Sequence, residues 1–133
     1  MSATAPDPTD MMRTRLQVDL RRAMRARDAV ETGVLRCLIA ALDNAGAIMP
    51  APATGPARFV GSEHVAAGLA WGSAEATRRA LSAAEVDALI EREVAARRGA
   101  AVEFERCARP VEAETARVEM AIAARYQSHA DVR

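Results

Sequence analysis

Aromatic residues are nearly absent from this chain, at 3% of 133 positions, although half of the residues are hydrophobic. Alanine is the largest part of that half. A β-sheet core would call for valine, isoleucine and aromatics, so the composition favours closely packed helices with small contact residues. Lysine is missing altogether; every basic side chain is arginine. The formal net charge is zero, so the whole-molecule field gives no general attraction to nucleic acid or to an anionic membrane, and any such binding must come from a local patch. No run of about 18 apolar residues is present, which excludes a membrane-spanning helix. The N-terminus carries Asp7 and Asp10 without a basic-then-apolar pattern, so it is not a signal peptide, and a cytoplasmic location is expected. Cys37 and Cys107 form no Cys-x-x-Cys pair, and the expectation is two buried free thiols. With only two His, His64 and His129, no metal cage is indicated. There is no GxGxxG or Walker loop, and no cofactor is expected.

The chain is organised around the stretch from Leu81 to Tyr126. Ser82 followed three residues later by Glu85 has the form of a capping box, in which each side chain satisfies the other residue's backbone N–H. Val86, Leu89, Ile90 and Val94 follow at helical spacing, and Ala101 and Phe104 carry the stripe onward. Pro110 fits the first position of a new helix, where its missing N–H costs nothing. Val111, Thr115, Val118, Ile122 and Tyr126 then mark that helix's expected inner face. The result is an αα-hairpin with one apolar side, which needs a partner.

The first part of the chain supplies one. Residues 1–9 contain Pro6 and Pro8 among small polar residues and are expected to be disordered. Thr9 or Asp10 can cap a first helix, with Met12, Leu16, Leu20, Ala23 and Met24 on one face. Asp28 breaks the pattern. A second helix presents Val34, Leu35, Leu38, Ile39, Leu42 and Ala45, and Gly46 is able to stop it in the left-handed cap conformation. Residues 46–80 differ in character, because Pro50, Pro52, Pro56, Gly55 and Gly61 forbid a continuous helix. A short helix from Ser62 to about Trp71 fits there. A linker of this length inside a compact domain is usually disordered or functional. Trp71, the only tryptophan, either docks onto the bundle or is an exposed partner-binding side chain. Residues 127–133 read as a frayed end. The whole is one helical domain over 10–126: two antiparallel hairpins packed as an all-α bundle, joined by a long Pro/Gly-containing linker. The expected core comprises Leu20, Met24, Leu35, Leu38, Ile39, Ile90, Val94, Phe104, Val118 and Ile122.

Chemistry is sparse. His64 adjoins Ser62-Glu63, but neighbouring residues cannot converge as a nucleophile–base–orienter triad. Glu91 with Glu93, and Glu103 with Glu105, are i, i+2 pairs pointing to different sides of a helix. No catalytic residue is assigned. The strongest remaining signal is the arginine face of the first helix, Arg21, Arg22 and Arg25, within about two helical turns. It suits either a solvated face near a helix C-terminus or charge-assisted bonds to nucleic-acid phosphates. No aromatic interleaves, so base stacking is not expected. Arg97-Arg98 is a weaker candidate of the same kind.

These residues, taken in order, resemble the GatB/YqeY family. The first hairpin matches through Leu16-x-x-Asp19-Leu20-x-x-Ala23-Met24-x-Ala26-Arg27-Asp28 and Leu35-Arg36-x-Leu38-x-Ala40-Ala41. The second matches through Leu81-Ser82-x-x-Glu85-Val86, Arg97-Arg98, Phe104-Glu105, Arg109, Glu119 and Tyr126. The resemblance implies an all-helical domain. In the family it is followed by a smaller tail domain, similar to the one that the GatB component of a tRNA amidotransferase uses toward tRNA. Members continue with Leu-Pro where Gln127-Ser128 stand here. That amidotransferase is a glutamine-dependent carbon–nitrogen ligase that amidates misacylated tRNA; free-standing family members lack its catalytic parts. Two functions follow as expectations. One is a non-catalytic helical module with a protein partner; the other is a tRNA-binding accessory of such an amidotransferase. Neither involves a membrane or a metal.

Overall fold

The computed structural model describes residues 4–47 and 79–128. The expected helix at 62–71, with Trp71 and His64, lies outside the described residues, as does His129. The described residues are all-α, with four helices: α1 (Pro8–Arg25), α2 (Ala29–Gly46), α3 (Ala83–Arg106) and α4 (Pro110–Ala124).

Local chemistry accounts for the boundaries. α1 begins two to three residues before the sequence suggests. Asp7, not Thr9 or Asp10, is the N-cap; its carboxylate accepts from the Thr9 N–H at 3.1 Å, and Pro8 occupies the first turn. Asp28 caps α2 by accepting from the Glu31 N–H at 3.0 Å. At α3 both halves of the capping box form at 3.1 Å: the Glu85 N–H donates to Ser82 Oγ, and the Ser82 N–H donates to Glu85 Oε1. The Ser82 N–H and Arg79 together hold the Glu85 carboxyl below its ordinary pKa. Pro110 opens α4 as expected.

The two hairpin turns share one backbone design. In the first, the Arg27 N–H donates to the Met24 carbonyl (3.1 Å) and the Asp28 N–H to the Ala23 carbonyl (3.0 Å). In the second, the Ala108 N–H donates to Glu105 (3.1 Å) and the Arg109 N–H to Phe104 (2.8 Å). Each is a Schellman motif. Its left-handed residue is not glycine but Arg27 (φ 56) in one turn and Ala108 (φ 55) in the other.

α1 packs on α2, and α3 packs on α4 along the most extensive interface among the described helices. α2 touches α4, and α3 touches both α1 and α2. The core gathers Leu16, Leu35, Leu38, Leu42, Ile90, Val94 and Tyr126. Leu20 and Ile39 pack partly buried against it. Phe104 is half-buried in the second hairpin.

Three expected core residues lie outside it: Met24 is 50% exposed, Val118 is 43% exposed, and half-buried Phe104 is not part of the core cluster. The expected inner face of α4 is in fact turned outward over its first half, with Val111 74% exposed and Thr115 exposed. The buried positions there are Ala113, Ala116, Ile122 and Ala123. On α3, Ala101 is buried within the same hairpin. Alanines let two helix backbones approach closely, and valines at those positions would hold them apart.

Two further corrections concern small residues. Cys37 and Cys107 are exposed free thiols rather than buried ones, since α2 turns Val34, Leu35 and Leu38 inward and Cys107 sits at the C-cap of α3. Gly46 does not adopt a left-handed cap; it is the last residue of α2, followed by extended Ala47. A Cβ there would meet the Arg79 carbonyl oxygen at 3.1 Å. Its value is the close approach that lets the Arg79 N–H donate to the Gly46 carbonyl at 2.7 Å.

Candidate interaction surface

The basic residues of α1 divide between internal ties and free ends. Arg13 bridges the first hairpin, donating to Asp43 Oδ1 on α2 at 2.8 Å and to Asp10 at 3.1 Å. Arg15 lies over the Tyr126 ring, 4.6 Å from its centroid, and donates to the Arg125 carbonyl at 3.0 Å. The Tyr126 hydroxyl donates to Asp19 Oδ2 at 2.5 Å, and Asp19 also accepts from Arg22 at 2.7 Å. Burial and the Asp19 carboxylate push the Tyr126 phenol far above its ordinary pKa. Arg125 pairs with Glu31 on α2 at 3.0 Å, and Gln127 donates to Glu91 on α3. The segment after α4 is thereby fastened to all three other helices.

Beyond these ties lies a group of exposed guanidiniums at the turn between α1 and α2. Arg21 and Arg25 are exposed near the end of α1, and Arg27 is exposed in the turn itself. On α2, Arg36 is exposed and directs a guanidinium nitrogen to Met24 Sδ at 4.0 Å, which places it beside the last turn of α1. Among the described residues, no carboxylate forms an ion pair with any of these four. Arg22 stands with them, its charge shared with Asp19. Arg21 and Arg25 are an i, i+4 like-charge pair, worth about 0.2–0.5 kcal/mol of destabilisation. The negative end of the α1 dipole offsets part of this for Arg22 and Arg25.

The structure therefore brings Arg21, Arg22 and Arg25 together on one surface and adds Arg27 and Arg36, which the sequence pattern alone does not select. A fold-back hinged near residue 28 is the signal that would have found Arg36, because it sets the start of α2 against the end of α1. Arg97 and Arg98 are separated in role. Arg97 is largely buried and donates to the Glu93 carbonyl and carboxylate at 3.0 and 3.1 Å, with its Nε unpartnered. Arg98 is exposed beside a groove between α3 and α4 that also includes Val102, Arg117 and Met120. Trp71, the candidate partner-binding residue, lies outside the described residues. No helix among the described residues is long and apolar enough to cross a membrane, and no group of three or more His, Cys, Asp or Glu residues there is arranged to hold a metal. No family model matches the chain, and no curated protein or solved structure matches it.

Proposed function

We propose that this chain is a non-catalytic, YqeY-like helical interaction module whose contact surface is the basic turn of the first hairpin. The observation that supports this is the set of guanidiniums at Arg21, Arg25, Arg27 and Arg36, exposed together and without carboxylate partners among the described residues. Four such charges on a rigid hairpin end are complementary to an anionic surface. The favoured partner is an acidic protein face.

The family resemblance and the same arginines support a second reading, a tRNA-binding accessory to a glutamine-dependent amidotransferase. One experiment separates the two. Each phosphate contact releases condensed counterions, so tRNA affinity would fall steeply with salt. Replacing Arg21, Arg22 and Arg25 with Gln would then lower affinity for all RNA sequences and flatten the salt slope by up to about three units for duplex contacts. Folding is expected to change little, by about 0.5 kcal/mol or less per exposed site. Under the protein-partner reading, tRNA titrations of wild type and triple variant overlay, while a co-purifying acidic protein is lost from the variant. Loss of neither ligand from the variant would refute both readings of this surface.

A further inference from the structure

An apolar groove of about 350 Å³ opens between the first turns of α1 and α3, lined chiefly by Pro8, Met11, Met12, Ala83 and Val86. Met11 is 57% exposed within it. The groove sits where the two hairpins are latched. The Thr9 hydroxyl accepts from the Leu81 N–H at 2.9 Å and donates to the Leu81 carbonyl at 3.2 Å, and the Arg79 N–H donates to the Gly46 carbonyl at 2.7 Å. The chain between Ala47 and Arg79 therefore leaves and returns at this same end of the bundle.

We propose that this groove seats the chain's own 48–78 segment, with Trp71 as the inserted side chain. Trp71 precedes Arg79 by eight residues, a distance that extended backbone covers with about 26–29 Å of reach. Both ends of the segment are fixed beside the groove, so docking is intramolecular and a modest contact is enough to hold it. Unbranched Met11 and Met12 adapt to an aromatic ring and make favourable sulfur–aromatic contacts. A second apolar groove, lined by Val30, Pro110, Val111 and Val118, is less well placed. Val30 lies 16 residues before Gly46, about 24 Å away along α2.

The single tryptophan makes intrinsic fluorescence a readout of this one position. In the full chain the emission is expected to be that of a shielded indole, insensitive to dilution and weakly quenched by acrylamide. Met11→Asp should red-shift it and raise quenching several-fold while the far-UV circular dichroism stays helical. Ala83→Glu, an exposed first-turn position where an acid suits the helix, should do the same and guards against a misfolded Met11 variant. Val111→Asp, in the other groove, should leave the emission unchanged. The proposal is overturned by a solvent-exposed indole in the wild type. It is equally overturned by a shielded indole that both groove variants leave shielded, or by shielding that is lost on dilution, which would assign the contact to a second copy.

Discussion

Glycine stands in the interior of two helices, at Gly33 and Gly99, while the two left-handed turn positions carry Arg27 and Ala108. Exchanging the residues at 99 and 108 tests the turn assignment with little change in the unfolded chain, because the composition is unaltered and the sites are neighbours in sequence. At Ala108 the left-handed backbone costs an L-residue about 1–2 kcal/mol, most of which glycine avoids. At Gly99 a Cβ meets nothing within 4 Å, so alanine should gain the helix-propensity difference of about 0.8–1.0 kcal/mol. The two sites are about 13 Å apart along the chain path of α3, so their effects should nearly add. The double variant Gly99→Ala/Ala108→Gly should therefore be more stable by about 1–2 kcal/mol, after allowing for partial relaxation of the turn. For a domain of this size that raises Tm by on the order of 10 °C. Urea denaturation followed by circular dichroism measures it, with each single variant as a control. A destabilising Ala108→Gly would mean the second turn is not left-handed. A destabilising Gly99→Ala would mean something approaches α3 closely at that point.

Other expectations follow from the core, the latch and the buried phenol. Leu38 is fully buried, so Leu38→Ala should lose about 2–5 kcal/mol; a loss under about 0.5 kcal/mol, the scale of a surface substitution, would place it on the wrong face. Thr9→Val removes both hydrogen bonds to Leu81 and strands a buried N–H and carbonyl, costing about 1–3 kcal/mol, whereas Thr9→Ser should retain most of the stability. Tyr126 holds its proton more tightly in the folded state than in the unfolded one. The stability this contributes is fully present below the unfolded phenol pKa near about 10 and is lost as pH rises beyond it. Denaturation curves collected on either side of that value should show an alkaline fall in wild type that Tyr126→Phe removes; an identical fall in the variant would refute the assignment.

The helices were legible wherever a local signal determined them. Asp28, the Ser82–Glu85 box and Pro110 mark three of the four starts; the first two act through side-chain bonds made within three residues, and Pro110 through its fixed φ and missing N–H. The start of α1 was displaced because Thr9 looks like a cap in sequence. Its hydroxyl is instead committed to Leu81, a partner 72 positions away. On α4 the hydrophobic pattern points to the wrong face for a related reason. A hydrophobicity pattern ranks Val111 and Val118 above Ala113 and Ala116, but the closeness of α3 rewards small volume rather than apolarity. Backbone separation between helices is a tertiary quantity, and no single-helix pattern contains it.

The basic surface was half legible for the same reason. Arg21, Arg22 and Arg25 share a face of one helix, whereas Arg27 and Arg36 join them only once the hairpin closes. A zero net charge also says nothing about where compensation occurs. In the second hairpin, Glu93, Glu103, Glu105, Glu112 and Glu114 are taken up by Arg97, Arg106, Arg117 and Arg109. The first hairpin spends Asp10 and Asp43 on Arg13, Asp19 on Arg22 and Glu31 on Arg125. Arg21, Arg25, Arg27 and Arg36 are left without a carboxylate partner among the described residues; on the second hairpin Asp87, Glu91 and Glu119 have no arginine partner there, and Arg92 and Arg98 no carboxylate partner. The neutral total is thus a sum over separated charges. Over distances comparable to the Debye length of about 8 Å at physiological ionic strength, a partner meets the local excess rather than the total. That is how a chain with no net charge can present a surface suited to an anion.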